Sequence, residues 1–149
     1  MKLIRYNEKY KGIVNEMYGA ASKKLTNFGL YKVLTIVGVF KSYLFLYMSD
    51  DKIIYVGGAI LNKLNLITLK IEIWIAGIYV IEQYRRQNNG SKLMNLLFDE
   101  CKARGYNDIY LYVDKNNIAA NNLYLKLGFQ IIGTYKHYFK MVYSIKHYV

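Results

Sequence analysis

Proline is absent from the 149-residue chain, and cysteine occurs once, at Cys101. Without proline, tight turns depend on glycine, asparagine and aspartate, which tolerate left-handed backbone conformations or hydrogen-bond to the turn. A single cysteine excludes an internal disulfide bond and favours a reducing compartment, so we expect a cytoplasmic protein. Cys101 lies between Glu100 and Lys102 in a predicted helix, where a core or boundary position is expected.

Acidic residues are scarce, with 10 Asp and Glu against 21 Lys and Arg, and the formal net charge is +11. This excess favours an anionic partner, such as a phosphorylated cofactor or a nucleic acid, although a solvated basic surface has the same composition. The positive residues are spread along the chain instead of forming one block, so nucleic-acid binding stays a secondary interpretation. Long apolar runs are also missing: VLTIVGVF is too short to cross a bilayer and MKLIRYNEKY lacks a signal-peptide core. We therefore expect no membrane partner.

Alternating apolar residues and β-branched runs predict the strands of a sheet. The predicted strands are KLIRY, SYLFLYM, IIYVGGAIL, LITLKIEIWIAGIYVI, YNDIYLYVD, FQIIGTYK and FKMVYSIKHY. SDDK joins the second and third strands as a hairpin turn. Gly57 and Gly58 indicate weak pairing or a close approach, and Ala76 with Gly77 predicts a bulge or bend in the long fourth strand.

Helical spacing predicts three helices, NEKYKGIVNEMYGAAS, SKLMNLLFDECKARG and NIAANNLYLKLG. Leu93, Leu96, Leu97 and Cys101 form the expected inward face of the second, and Gly105 ends it. Residues 25–41 fit a helix or a strand equally well. A helix between the fourth and fifth strands predicts a right-handed crossover with parallel pairing. Together the elements indicate one mixed α/β domain spanning residues 1–149.

The stretch YRRQNNGSKLM, residues 84–94, places basic and amide side chains directly before an apolar helix. The free N–H groups and positive dipole end of a helix start suit an anion, and a phosphate above all. Asn88 tolerates a left-handed conformation, Gly90 allows a phosphate to approach the backbone, and Ser91 is placed to help at the helix start. Neither G-x-G-x-x-G nor G-K-[ST] is present, and an ordinary turn with basic residues would look similar.

Residues 111–129, LYVDKNNIAANNLYLKLGF, resemble the C-terminal signature of the GNAT superfamily of N-acetyltransferases. The matching positions are Leu111, Val113, Asn117, Ala120, Leu123, Tyr124, Gly128 and Phe129. The loop at residues 84–94 is similar to the superfamily's cofactor loop, Arg/Gln-x-x-Gly-x-Gly/Ala: Arg85 and Gly90 fit it, and Asn88 replaces the first glycine. The resemblance covers residues 69–145. It implies a GNAT-like mixed, mostly antiparallel central sheet with a splayed parallel strand pair, flanked by helices.

The resemblance also implies a reaction, in which an acetyl group passes from acetyl-CoA to a primary amine by direct attack in a ternary complex. The amine would belong to a small molecule or a protein N-terminus. The pyrophosphate would rest on the amides of residues 86–91, and the pantetheine arm on the strand end at residues 78–80. The implied cofactor-binding residues are Ile78, Tyr79, Val80, Arg85, Arg86, Gln87, Asn88, Asn89, Gly90, Ser91, Asn117, Tyr124 and Lys126, with no metal ligand.

The catalytic pair implied by the resemblance is Tyr124 as general acid and Glu72 as general base. Many family members carry the glutamate that serves as general base at the position that Trp74 occupies here. Glu72 lies two residues earlier, on the same strand face if the pleat is regular. Glu82 and Asp114 are alternatives near the same end of the sheet.

Aromatic residues suggest an acceptor pocket formed by Trp74 and the tyrosines at positions 79, 110, 112, 135 and 138, although aromatic residues also favour strands in general. The stretch YKHYFKM resembles the hairpin with which peptide N-terminal acetyltransferases hold substrate, and His137 is a candidate contact there. A second interpretation remains, a non-catalytic module that binds CoA or nucleic acid on a GNAT fold. Many relatives form dimers, so a homodimer is a further prediction.

Overall fold

One mixed sheet of seven strands organises the computed structural model, which describes residues 2–5, 9, 43–49 and 52–145. The strands are β1 Lys2–Arg5, β2 Tyr43–Ser49, β3 Lys52–Asn65, β4 Lys70–Ala76, β5 Asp108–Asp114, β6 Gln130–Tyr135 and β7 Tyr138–Ser144, in the order β1-β2-β3-β4-β5-β7-β6. Two α-helices accompany them in the described ranges, α1 Asn89–Ala103 and α2 Ile118–Lys126. A short 3-10 helix, Glu82–Tyr84, precedes α1.

The central strands β4 and β5 run parallel and then separate. Their pairing covers Ile73 with Ile109 and Trp74 with Tyr110, and every other pair of neighbouring strands in the described sheet is antiparallel. Beyond Trp74, the chain leaves β4 at Gly77, whose φ is 69°, while β5 continues to Asp114. This confirms the predicted mostly antiparallel sheet with one parallel pair and opens a gap between the two strands.

The two faces of the sheet differ in what covers them. Odd-numbered strand residues contribute Ile73, Ile75, Ile109, Leu111, Val113 and Met141 to a buried core cluster that also contains Leu93, Met94, Leu97 and Cys101 of α1 and Tyr124 of α2. Each fully buried aliphatic side chain in such a core contributes about 1.5–3 kcal/mol. The even-numbered residues, Glu72 and Trp74 on β4 and Tyr110 and Tyr112 on β5, lie on the opposite face because side chains alternate along a strand.

The predicted helix ends agree closely with the structure. α1 begins at Asn89, two residues before the predicted start, and Leu93, Leu97 and Cys101 are fully buried, as is Met94. Leu96 is half-buried against the core. Gly105, with a φ of 75°, ends α1 as predicted, and its N–H donates to the carbonyl of Lys102.

The predicted strand LITLKIEIWIAGIYVI is wrong at its start. Residues 66–69 form a turn in which Asn65 Oδ1 accepts hydrogen bonds from the N–H groups of Ile67 and Thr68, at 3.0 and 3.1 Å. Leu69 has a φ of 55°, so the chain reverses before β4 begins at Lys70. The prediction is also too long at its end: β4 stops at Ala76, so the bend predicted at Ala76 and Gly77 ends the strand, and residues 77–81 lie outside it.

The SDDK hairpin is confirmed, with Ser49 paired to Lys52. The register shifts between Phe45 and Leu46, whose partners are Gly58 and Val56, so Gly57 is the extra residue of a bulge. The predicted N-terminal helix at residues 7–22, apart from Lys9, and residues 25–41 lie outside the described residues. No helix in the described ranges is both long and apolar enough to cross a membrane.

Candidate active site

The loop between β4 and α1 presents a row of backbone N–H groups. Asn88 precedes α1 in the left-handed conformation predicted for it, with a φ of 61°, and Arg86 is also left-handed, with a φ of 57°. The first hydrogen bond of α1 runs from Lys92 N to Asn88 O at 3.1 Å. Within the described chain, the N–H groups of residues 86–91 donate no hydrogen bond to a carbonyl or a capping side chain. Six neighbouring donors at the positive end of a helix fit a diphosphate.

Several side chains predicted to bind cofactor hold this loop in shape. The side chain of Asn89 is buried, and its Nδ2 donates to the carbonyl of Tyr84 at 2.9 Å. Arg85 turns back, so that its Nε donates to Val80 O at 2.9 Å while its guanidinium lies 5.2 Å from the Tyr79 ring centre. Gln87 Nε2 donates to Gln83 O at 3.1 Å. These bonds keep the free amides together, and Arg85 retains donors beyond Nε.

Gly90 lies at a close contact between the two helices. A Cβ at this position would lie 3.1 Å from Leu123 Cδ2 on α2, which is tighter than an ordinary carbon–carbon contact. The small size of Gly90 therefore serves this helix contact as well as the predicted approach of a phosphate to the backbone. Leu123 contacts the start of α1. Lys126 is exposed and lies three residues after Leu123, so it is on the side of α2 that adjoins the start of α1. Ser91 is half-buried and makes no capping bond.

The remaining predicted cofactor residues border the gap between β4 and β5. Ile78, Tyr79 and Val80 are half-buried and pack against the core cluster just after β4 ends. Asn117 caps α2, and its Oδ1 accepts from Ala120 N at 3.2 Å. The amide nitrogen of Asn117 points to no described acceptor, so a donor remains at the carboxyl end of β5.

Asn121 is a site residue that the sequence reasoning missed. Its side chain is 7% exposed, and its Nδ2 donates to the carbonyls of Asp114, Lys115 and Asn117 at 2.9, 3.3 and 2.8 Å. Its Oδ1 is buried without a partner in the described chain. This one amide therefore fixes the junction between β5 and α2. The available signal was a polar residue three positions before Tyr124, on the apolar side of α2.

Tyr124 belongs to the helix-covered face of the sheet. Its side chain is 6% exposed, and its ring meets Phe129 edge-on with centroids 5.6 Å apart. Burial raises the pKa of the Tyr124 hydroxyl well above its ordinary value. The phenol therefore keeps its proton throughout the physiological range and is a donor, never a base, there.

Glu72 and Trp74 lie side by side on the opposite face, as predicted from the pleat. Glu72 Oε1 accepts from Asn65 Nδ2 at 2.6 Å, and Glu72 Oε2 accepts from Trp74 Nε1 at 3.0 Å. The carboxylate is thus held by two donors and is half-buried. Glu82, by contrast, is exposed on the 3-10 helix, and Asp114 Oδ1 already accepts from Asn116 N at 2.8 Å.

Aromatic rings cluster around Trp74 on this face. Its ring centroid lies 4.7 Å from that of Tyr112 and 5.4 Å from that of Tyr110, and Tyr112 lies 6.2 Å from Tyr135. Burial and then Asp108 and Glu72 raise the pKa of Tyr110, and burial followed by Glu72 and Tyr135 raises that of Tyr112. Tyr79 and Tyr138 are not in this cluster. Tyr79 lies beneath the guanidinium of Arg85, and the ring of Tyr138 lies beside that of His137, with centroids 4.2 Å apart.

The predicted acid and base therefore approach from opposite faces of the sheet. Tyr124 packs with the helices, whereas Glu72 lies with Trp74 on the far side. The pairing of β4 and β5 ends at Trp74 and Tyr110, so the gap beyond this pair is where the two faces communicate. A thioester entering from the helix side and an amine entering from the aromatic side would meet there.

Comparison with known proteins agrees with this geometry. The model of the acetyltransferase (GNAT) family matches residues 36–129, more than half of the chain. The chain belongs to the GNAT family. It is 35% identical over 71 residues to N-alpha-acetyltransferase 50 of Danio rerio, covering 47% of this chain and 42% of that protein. It is 38% identical over 80 residues to an N-alpha-acetyltransferase of Sulfurisphaera tokodaii, covering 52% and 47%. The chain thus spans about half or less of the curated relatives that it matches.

Solved GNAT structures share the fold over nearly the whole chain. Ard1 from Thermoplasma volcanium has a TM-score of 0.74 at 20% identity and covers 98% of both chains. A chain of the NatC complex bound to Gag peptide and CoA has a TM-score of 0.68 at 17% identity, covering 98% of this chain and 100% of that one. At these identities the likeness shows the fold alone.

A cavity of about 710 Å³ lies apart from the candidate site of this GNAT protein. It is bordered by α1 residues, including Asn95 and Asp99, and by the ends of β6 and β7 around Gln130 and Ser144. None of the predicted catalytic or cofactor residues lines it. The candidate site is consequently an open gap between strands and not this cavity.

Proposed function

We propose that this GNAT protein transfers an acetyl group from acetyl-CoA to a primary amine, and that the amine is the N-terminus of a peptide. The observation that carries the proposal is the row of free N–H groups at residues 86–91, at the start of α1. A cofactor with a diphosphate satisfies these donors, and the helix dipole favours its charge. The similarity to N-alpha-acetyltransferases supports the choice of acceptor.

The residues around the gap fit the rest of the cofactor. The half-buried backbone of Ile78 to Val80 lies where the parallel strands separate, and an amide-rich arm would pair with it. Asn117 offers its amide nitrogen at the end of β5, and Lys126 brings a positive charge to the α2 face that adjoins Gly90. Arg85 and Arg86 add positive charge at the loop. Acetyl-CoA would supply an activated thioester at the end of that arm.

The chain's own residues would then move the protons. The acceptor nitrogen gains a bond to the acetyl carbon, the carbon–sulfur bond breaks, and its electron pair leaves on sulfur. Glu72, held by Asn65 and Trp74, accepts the proton of the attacking amine, directly or through a water. Tyr124, whose buried hydroxyl stays protonated, would donate a hydrogen bond to the departing sulfur and share its proton as negative charge develops there. Backbone N–H groups near Val80 would stabilise the oxyanion.

The protein's compartment and assembly stay predictions. We propose the cytoplasm, which the single and buried Cys101 supports because no thiol partner exists in the chain. A homodimer stays a prediction that measurement of the solution mass would test.

The experiment is release of free thiol from acetyl-CoA in the presence of a panel of peptides and small amines. We expect amine-dependent release, reduced about 100-fold or more in Tyr124→Phe, since a general acid or base contributes about 10²–10⁴-fold. Tyr143→Phe is the matched control, because Tyr143 stacks on Phe98 with centroids 4.3 Å apart and borders the separate cavity.

Two outcomes would contradict the proposal. The first is thiol release that does not depend on an amine or survives in Tyr124→Phe. The second is association with CoA without turnover, joined by a salt-sensitive shift of DNA, which would favour the non-catalytic module.

A further inference from the structure

Lys140 on β7 lies over the aromatic face beside the predicted base. Its Nζ is 5.2 Å from the ring centre of Trp74 and 5.1 Å from that of Tyr110. The register of β5 and β7 places Lys140 directly opposite Tyr112, so its side chain leaves the sheet on the same face. Two stacked rings beneath the ammonium restrict its position.

No described carboxylate pairs with this ammonium. Both oxygens of Glu72 accept hydrogen bonds from Asn65 and Trp74. Asp108 accepts from Ser144 Oγ at 2.7 Å, and Asp114 is engaged with Asn116 and, at 3.9 Å, with His137. Lys140 is half-buried, and among the described residues its positive charge meets rings instead of an opposite charge.

We propose that Lys140 determines acceptor specificity by binding a carboxylate that the acceptor carries beside its reactive amine. The inference rests on the proposed function. Glu72 accepts from the N–H edge of the Trp74 indole and the Lys140 ammonium lies 5.2 Å from the ring centre, so both charges adjoin one ring. Trp74 is the last β4 residue paired to β5 and borders the gap. An acceptor whose amine reaches the gap past Glu72 brings the next few atoms to Lys140.

The same geometry argues against two other acceptor classes. A cationic group cannot use Trp74 and Tyr110 as an aromatic cage, because the Lys140 ammonium already occupies their faces and repels it. A purely apolar group would remove the charge of Lys140 from water without compensation, which is unfavourable. A carboxylate is attracted to the ammonium and needs no rearrangement of the rings.

The test uses two pairs of acceptors that differ in one carboxylate. The first pair is a peptide with glutamate or glutamine at its second position, and the second pair is free alanine or alaninamide. Binding is measured by calorimetry in the presence of CoA, and kcat/KM is measured by thiol release. The variants are Lys140→Gln, Lys140→Arg, and Lys102→Gln as a control that removes the same charge from an exposed position on α1.

We expect the acidic member of one pair to bind roughly tenfold more tightly than its neutral partner, as a hydrogen bond between a half-buried ammonium and a carboxylate would provide. That preference should disappear in Lys140→Gln and persist in Lys140→Arg and Lys102→Gln. The pair that shows it distinguishes an acidic peptide from a free amino acid. Either result supports the role of Lys140, but a preference confined to free alanine would contradict the peptide acceptor proposed above.

Equal binding of both members of both pairs by the wild type would overturn the inference, whether or not any variant folds. An acidic preference that survives in Lys140→Gln would overturn it as well. Neither result touches the proposed function, which is tested separately by CoA association and by amine-dependent thiol release. If the protein neither associated with CoA nor released thiol in an amine-dependent way, the proposed function would be contradicted. Calorimetry with the acceptors would still measure whether Lys140 binds a carboxylate.

Discussion

Glu72 accepts a hydrogen bond from the indole of Trp74, two residues further along β4, with Trp74 Nε1 and Glu72 Oε2 3.0 Å apart. The contact links the aromatic face to the predicted base, because the same carboxylate also accepts from Asn65 at 2.6 Å. Trp74 occupies the position at which many family members carry the glutamate. The pair shows how a carboxylate two residues earlier can be directed along the same face.

Replacing Glu72 by glutamine should lower kcat about 100-fold or more while leaving the KM for acetyl-CoA nearly unchanged. Glutamine keeps the size of the side chain but cannot take the proton of the amine. The measurement is the kinetic profile, kcat and the KM for acetyl-CoA and for the amine, in the thiol-release assay at one pH. Glu82→Gln, on the exposed 3-10 helix, is the matched control. A Glu72→Gln enzyme with the wild-type profile would assign the base elsewhere.

Burial raises the pKa of the Cys101 thiol from 9.0 to about 12, with Arg104 lowering it and Glu100 raising it slightly. Above pH 9.0 the unfolded chain loses a proton that the native state keeps, so the free energy of unfolding falls as pH rises towards 12. The slope for one such group is about 1.4 kcal/mol per pH unit. Cys101→Ala lacks this contribution, so its stability deficit relative to the wild type should narrow above pH 9.0 in urea unfolding. A deficit that is constant with pH would contradict the assignment.

Asn121 should be intolerant of aspartate. Asn121→Ala removes the side-chain donor that joins three carbonyls, of which those of Asp114 and Asn117 also accept from backbone N–H groups, and should cost about 1 kcal/mol of unfolding free energy. Asn121→Asp should cost more at neutral pH, because its carboxylate would face the carbonyls of Asp114, Lys115 and Asn117. The excess loss should shrink as pH falls and the carboxyl gains a proton. Urea unfolding at neutral and acidic pH measures both, and equal stability of Asn121→Asp and wild type would be inconsistent with the observed bonds.

Local patterns accounted for the elements whose ends are set by nearby residues. The spacing of Leu93, Leu97 and Cys101 with Gly105 behind them defined α1, and its structure follows that pattern. The start of β4 was predicted four residues too early because the turn residues LITL are as apolar as those of a strand. That turn depends on the side chain of Asn65, whose oxygen accepts from two following N–H groups, and neither glycine nor proline marked it.

In the candidate site, too, local features could be predicted from the sequence and features that depend on strand pairing could not. The left-handed Asn88 and the free amides follow from a local loop pattern and could be predicted. The placement of Tyr124 and Glu72 on opposite faces depends on which residues pair between β4 and β5, and the position of Lys140 over Trp74 depends on the pairing of β5 with β7. Such registers join residues far apart in the chain, so no short motif contains them.

The most direct test of the account is calorimetric titration of the protein with coenzyme A, comparing wild type, Asn88→Gly and Asn88→Val. Glycine adopts the left-handed φ of 61° without strain, so Asn88→Gly should bind as the wild type does. A β-branched valine disfavours that conformation by about 1–2 kcal/mol and should weaken binding roughly tenfold by disturbing the amides of residues 86–91. No heat of association with the wild type, or equal affinity in Asn88→Val, would contradict the proposed diphosphate site.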